Sequence, residues 1–254
     1  MDITTFKDKG VLQIDFARPA KKNAITAAMY QSMADTLAAA AKDDEVRVIL
    51  FAGQPDIFTA GNDLDDFLNH PPESENSPVF QFLSEISRAE KPVVAAVRGP
   101  AIGIGTTLLL HCDLIYVGDN ARFSLPFVTL GLVPEAASSL LLPRLMGYPK
   151  AAERLFFGEP FSAEEALAAG LINKIMPARE VLEFAQAQAQ KLAALPAVSL
   201  RATKRLMKLD TGPLIEERMG EEAREFRERL ASPEAKEAFA AFFEKRKPDF
   251  TRFT

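Results

Sequence analysis

Val93-Val94-Ala95-Ala96-Val97 is an unbroken apolar run. After it come Gly99-Pro100-Ala101-Ile102-Gly103-Ile104-Gly105-Thr106-Thr107 and the apolar Leu108-Leu109-Leu110. A buried strand, a glycine-punctuated turn and a helix start in that order present free backbone N–H groups where the helix dipole is positive. Such a place holds negative charge. Two chemistries fit it at this point: a cradle for a nucleotide phosphate, or a hole for an oxyanion that forms on a substrate during reaction. A third reading is structural, with the glycines only letting a helix pack closely.

The elements around that turn read as α/β. Val11 to Phe16 alternates apolar and polar residues as a strand does, and pairs with Ile3 to Phe6 through a turn near Asp8-Lys9-Gly10. Thr26 stands as the N-cap of a helix in which Met29, Met33, Leu37 and Ala40 recur at helical spacing up to about Lys42. Val46 to Ala52 is a buried strand stopped by Gly53, leading into Phe58-Thr59-Ala60-Gly61-Asn62-Asp63-Leu64. Asn69 through Ser77, with Pro71-Pro72-Glu73-Ser74, is turn-prone and is expected to form a mobile loop. Val79 to Ala89 reads as a helix, and Pro92 to Arg98, Asp113 to Gly118 and Arg122 to Ser124 as strands. Strands alternating with helices imply largely parallel pairing.

Past Pro134 the pattern turns helical. Glu135 to Leu145, Lys150 to Phe157, Ser162 to Ala169, Arg179 to Leu195, Leu200 to Leu209, Leu214 to Leu230 and Pro233 to Lys245 suit helices, with only Leu171 to Met176 extended. Ser162 and Glu165 have capping-box spacing, and Gly170 sits at a helix C-cap. In Leu214 to Leu230, Ile215, Met219, Ala223, Phe226 and Leu230 form one apolar stripe. The stripe fits either the chain's own core or a neighbouring subunit.

Composition removes several function classes. With 254 residues and a formal charge of -5, the chain has room for a substantial core and offers no general attraction to nucleic acid or an anionic membrane. No apolar run approaches the roughly 20 residues that span a bilayer. Cys112 is the single cysteine, so no intramolecular disulfide forms, and His70 and His111 have no metal-ligand spacing around them. A cytoplasmic protein with no metal is the expectation.

The phosphate reading weakens on inspection. Gly103-x-Gly105 lacks the third glycine of a dinucleotide fingerprint, and Thr106-Thr107-Leu108 supplies no phosphate-loop lysine. Ala60-Gly61-Asn62-Asp63 is a second glycine turn after a buried strand, and two such turns can supply the two convergent donors of an oxyanion hole. An ordinary turn with a helix N-cap explains Asn62-Asp63 equally well in isolation. Glu135, within Leu132-Val133-Pro134-Glu135-Ala136-Ala137, is a carboxylate in an apolar setting at an expected helix start. It reads either as a first-turn residue complementing the dipole or as a general base tuned by desolvation. Cys112 and His111 read as packed residues.

Taken together, these segments resemble the crotonase, or enoyl-CoA hydratase/isomerase, superfamily. The match lies in Arg18-Pro19 followed by Lys22-Asn23-Ala24-Ile25, in Phe58 to Leu64, in Gly99 to Gly105 and in Cys112-Asp113-Leu114. The resemblance implies a spiral of ββα turns over residues 1–195 with a C-terminal helical region over 196–254 used for trimerisation, giving a homotrimer or a dimer of trimers. It implies acyl-CoA thioesters as ligands, the coenzyme A being part of the substrate and no separate cofactor being needed. It also implies that the backbone N–H groups of Asn62 and Ile104 hold the thioester oxygen, with Lys21, Lys22, Ala24, Ala60, Gly61, Asp63 and Gly103 along the substrate.

Carboxylates distinguish the chemistries of the superfamily. The positions where its hydratases carry their two glutamates fall on Thr107 and Phe127, neither of which moves a proton from water. Glu135 falls where the related Δ3,Δ2-enoyl-CoA isomerases place their single catalytic glutamate. The expectation is therefore a 3-enoyl to 2-enoyl isomerase of fatty-acid or related acyl-CoA metabolism. Leu125, Phe127, Leu132 and Val133 are expected to form an apolar wall that excludes water. A hydratase or hydrolase of the same superfamily, and a non-catalytic acyl-CoA-binding protein, are the alternatives.

Overall fold

The computed structural model describes residues 2–74 and 76–253. Two runs set its centre, β3 (Val48–Ala52) and β4 (Val93–Val97), in which every residue is buried. Strands without a polar face must be covered on both sides. β1 (Ile3–Asp8) and β2 (Val11–Phe16) form an antiparallel hairpin, and from β2 onward the sheet is parallel, in the order β1-β2-β3-β4-β6-β9, with β6 (Leu114–Gly118) and β9 (Lys174–Met176). Alternate side chains of β3 and β4 go to opposite faces. Ile49, Phe51, Val93, Ala95 and Val97 join the larger core with residues of α1 (Ala27–Lys42) and α3 (Pro78–Arg88), whereas Val48, Leu50, Val94 and Ala96 pack on α8 (Val181–Ala193). Ala185, Ala189 and Ala193 are the small residues that let α8 lie close to the sheet.

A second sheet, order β5-β7-β8, holds β5 (Pro100–Ile102), β7 (Arg122–Ser124) and β8 (Phe161–Ser162). β5 and β7 are parallel, and a further parallel bridge joins Thr59 to Ala101. The chain therefore repeats one unit: a strand in the large sheet, an extended piece in the small layer, then a helix. β3, Thr59 and α2 (Leu64–Asn69) form one turn, β4, β5 and α4 (Ile104–Thr107) the next, and β6, β7 and α5 (Ser138–Met146) the third. This is the α/β spiral of ββα turns expected from the sequence.

α6 (Tyr148–Phe157) and α7 (Ala163–Ala168) follow, the latter with the expected Ser162–Glu165 capping box. α9 (Ala197–Met207), α10 (Gly212–Leu230) and α11 (Pro233–Phe243) complete a C-terminal helical region. Lys204 pins α9 to the core, its Nζ donating to Lys91 O at 2.9 Å and to Asp113 Oδ2 at 2.6 Å. The α10 stripe covers the chain's own interior: Ile215 and Phe226 are buried, and Met219 packs on the main core. Among the described residues no helix is long and apolar enough to cross a membrane.

The structure differs from the sequence expectations in three brief elements and in the start of two helices. β5, β8 and α2 are too brief to produce a periodic signal. The helix expected from Leu200 begins at Ala197. The helix expected from Glu135 begins at Ser138, because Ala136 and Ala137 adopt left-handed backbone with φ of 60° and 55°. Glu135 is thus not a first-turn residue. Of the loop expected to be mobile, Glu75 lies outside the described residues.

Phe51 is fully buried between Phe16 and Phe82, with ring centroids 6.4 and 6.3 Å away. Phe51→Ala should cost roughly 3–5 kcal/mol, read as a lowered midpoint in urea denaturation.

Candidate active site

Two glycine turns meet because the strands before them are laced together. Thr59 N–H donates to Pro100 O at 3.1 Å and Ile102 N–H donates back to Thr59 O at 3.0 Å. Asn23, fully buried, steadies the first turn: its Nδ2 donates to Phe58 O at 3.0 Å, and its carbonyl accepts from Thr59 Oγ1 at 2.7 Å. Gly61 has φ of +88°, and a Cβ there would stand 2.9 Å from Ile102 O, so only glycine fits between the turns. Gly103, with φ of 55° and ψ of -117°, occupies backbone space that is essentially glycine's own and turns the chain into α4.

The outcome is one cavity of about 520 Å³. Its lining brings together Lys21, Lys22, Ala24, Ala60, Gly61, Asn62, Asp63, Gly103 and Ile104, all of the residues the sequence places there except Glu135. Among the described residues, neither the Asn62 N–H nor the Ile104 N–H donates to a protein acceptor. Lys21 and Lys22 are exposed at the cavity's edge. Asp63 is already engaged: it caps α2 through Asp66 N–H and receives Arg18 Nη1. Phe127 and Leu132 line this cavity, but Leu125 is core and Val133 borders a different hollow, so only half of the expected apolar wall faces the site.

Glu135 opens into an adjoining cavity of about 400 Å³ between α3 and α10. Phe67 and Phe226 line both cavities and meet edge to face, with centroids 5.9 Å apart and planes at 86°. Sequence reading does not separate these spaces. Tyr30 of α1, a residue the sequence reading does not single out, connects them electrostatically. Its hydroxyl donates to Asn62 Oδ1, and burial, with the Glu135 charge second, holds that hydroxyl well above the ordinary phenol range.

Glu135 is 7% exposed, and its Oε1 has no hydrogen-bond partner among the described residues. Burial, with repulsion from Glu222 second, pushes its carboxyl up to about 8. The dipole reading is therefore replaced by desolvation and a neighbouring carboxylate. His111 lies behind the turn, pushed down to about 4 by burial. It is neutral at pH 7, so its Nε2 donates to Ala136 O at 2.8 Å. Left-handed alanines cost on the order of 1–3 kcal/mol each, and such strain collects at functional sites. Thr107 is fully buried with its Oγ1 unpartnered among the described residues, and it lines neither cavity. Cys112 packs beside the core, its thiol pushed up to about 12 by burial.

A desolvated carboxyl in a cavity adjoining one that holds two free N–H groups is an arrangement compatible with proton transfer near a developing oxyanion. Residues 7–252 match the enoyl-CoA hydratase/isomerase family model, and the chain belongs to that family, within the crotonase superfamily. It is 36% identical over 246 residues to enoyl-CoA delta isomerase 2 of Rattus norvegicus, covering 94% of this chain and 63% of that protein. It is 32% identical over 250 residues to 2,3-dehydroadipyl-CoA hydratase of Escherichia coli K12, covering 98% of each. The chain thus spans just under two thirds of the rat isomerase. A solved enoyl-CoA hydratase/isomerase from Pseudoalteromonas atlantica T6c superposes with a TM-score of 0.93 at 41% identity, covering 99% of this chain and 100% of that one. Pseudomonas aeruginosa OdaA does so with a TM-score of 0.92 at 48% identity, covering 95% and 98%.

The raised carboxyl has a consequence for stability. Between its unfolded value of 4.5 and its folded value of about 8, the folded chain holds more protons at Glu135 than the unfolded chain. Stability contributed there is full at low pH and is lost as pH rises through that window. Glu135→Gln, which does not titrate, should gain on the wild type by on the order of 5 kcal/mol between pH 4 and pH 9. Urea denaturation at the two pH values reads it, and a difference independent of pH would refute the assignment.

Proposed function

We propose that the protein is an enoyl-CoA isomerase that moves a 3-enoyl-CoA double bond to the 2-trans position. The observation that carries this reading is the distribution of carboxylates. Glu135 is buried with a free oxygen, while the positions matching the hydratase glutamates hold a threonine outside the cavities and a phenylalanine. In this reading the Asn62 and Ile104 N–H groups donate to the thioester oxygen, and the acyl chain passes Phe67 and Phe226 toward Glu135. Glu135 removes a C2 proton, the electrons delocalise as a dienolate onto the thioester oxygen, and the resulting acid returns the proton at C4. The C3–C4 double bond becomes C2–C3 with no water consumed. A carboxyl near neutrality suits both halves of that transfer. Coenzyme A runs along Lys21, Lys22, Ala24, Ala60, Gly61, Asp63 and Gly103, and no separate cofactor takes part.

The same proposal makes residues 1–195 the spiral core, 196–254 the helical region, and the assembly a cytoplasmic homotrimer or dimer of trimers. Val198, Leu206 and Met207 on α9, Leu209 in the connection after it and Leu214 on α10 are exposed and support association. The 2,3-dehydroadipyl-CoA hydratase relative keeps hydration as the second reading.

Conversion of 3-enoyl-CoA to 2-enoyl-CoA by wild type and Glu135→Gln is the test. The variant should lose about 100- to 10,000-fold in kcat, and an unimpaired variant would sink the reading. Rapid water addition to 2-enoyl-CoA by the wild type would transfer the assignment to a hydratase, and tight binding without turnover to a binding protein. Reversing the charge of Lys21 and Lys22 together should raise KM about tenfold for a coenzyme A ester and leave a truncated thioester unaffected.

A further inference from the structure

The turn carrying Glu135 passes through two consecutive left-handed alanines and contains no glycine to relieve it. Its backbone is therefore held from outside. One grip is His111 Nε2 on Ala136 O, and another is local, Ser138 Oγ donating to Glu135 O at 2.6 Å. The third comes from 85 residues further along the chain. Glu222 on α10 accepts Ala137 N–H at 2.6 Å through Oε2 and Ser139 N–H at 2.9 Å through Oε1. Arg218, one helical turn earlier, donates to Ser139 Oγ at 3.2 Å. Glu222 is itself buried and lines the same cavity as Glu135.

We propose that Glu222 is the positioning residue for Glu135, a carboxylate supplied by the trailing helices that fixes the strained turn and so aims Glu135 into the cavity. This rests on the proposed role of Glu135 as the base. A carboxylate suits the task because it accepts two N–H groups at once, one on each oxygen, and carries charge to strengthen both.

The charge has a second effect. Burial raises both carboxyls, but Glu222 has two backbone donors and the nearby Arg218 to stabilise its anion, whereas Glu135 Oε1 has no partner among the described residues. The first negative charge in this pair therefore settles on Glu222, and its repulsion delays ionisation of Glu135. The other groups around Glu135 do not compete for that role. Tyr30 on α1 and His111 behind the turn are uncharged at neutral pH. Arg88 on α3 and Glu216 on α10 pair with each other at 2.9 Å, and Arg227 donates to Glu73 O at 3.3 Å.

Steady-state kinetics on a 3-enoyl-CoA from pH 5 to pH 9 would test the proposal, comparing wild type, Glu222→Gln, Glu222→Asp and Glu135→Gln. Glu222→Gln should lower kcat about 10- to 100-fold with KM nearly unchanged, and move the acid limb of kcat/KM to lower pH. Glu222→Asp keeps the charge and should leave that limb in place while recovering part of kcat. A wild-type kcat and an unmoved limb in Glu222→Gln would overturn the proposal. So would a weaker KM tracking a lower melting temperature with the limb unmoved, which marks a scaffold role alone. If Glu222→Gln does not fold, Glu222→Asp decides: a lowered kcat at unchanged KM supports the proposal, and a wild-type kcat overturns it. Wild-type turnover by Glu135→Gln would instead refute the base itself, whatever the Glu222 variants do.

Discussion

Parallel pairing in the small inner layer is the constraint from which the candidate site follows. Thr59 bridges Ala101, and Pro100–Ile102 pairs with Arg122–Ser124 in the same direction. Parallel strands leave their pairing at the same end, so successive connections emerge side by side. Asn62 stands in the first connection, before α2, Ile104 in the second, at the start of α4, and Glu135 in the third, before α5. Three residues far apart in sequence thus hold equivalent places in three turns of one spiral.

How much of this is legible in the sequence depends on whether a residue's role is local. The apolar runs of β3 and β4, the spacing in α1 and the Ser162–Glu165 box are local signals, and they appear where the sequence places them. Gly61 and Gly103 are legible as turns because the backbone itself demands glycine. The Glu135 turn is not: alanine favours helix, so Glu135 to Leu145 reads as continuous helix, and contacts from His111 and Glu222 override that preference. Glu222 carried a signal that is easy to pass over. Ile215, Met219, Glu222 and Phe226 follow a 4-3-4 spacing, which places an acid on the buried stripe of an otherwise amphipathic helix.

The division into two cavities is equally tertiary. Phe67 belongs to a two-turn helix after the first glycine turn, and Phe226 to α10, 159 positions later; only the folded chain brings their rings together. The free Asn62 and Ile104 N–H groups and the raised carboxyl therefore sit in different cavities, with an aromatic pair lining both. Tyr30 holds the Asn62 side chain on one side and feels the Glu135 charge on the other.

The position of α10 in the chain also orders events during synthesis. Every strand is complete by Met176, so both sheets can pair while residues of α10 are still being added. Until that helix docks, the Ala137 and Ser139 N–H groups have water rather than Glu222 as partner, and the Glu135 cavity is open on the α10 side. The nascent spiral can thus be paired while the Glu135 turn is still unheld from α10. The full burial that raises the Glu135 carboxyl therefore follows the pairing of the sheets and waits on a helix more than 75 positions further along.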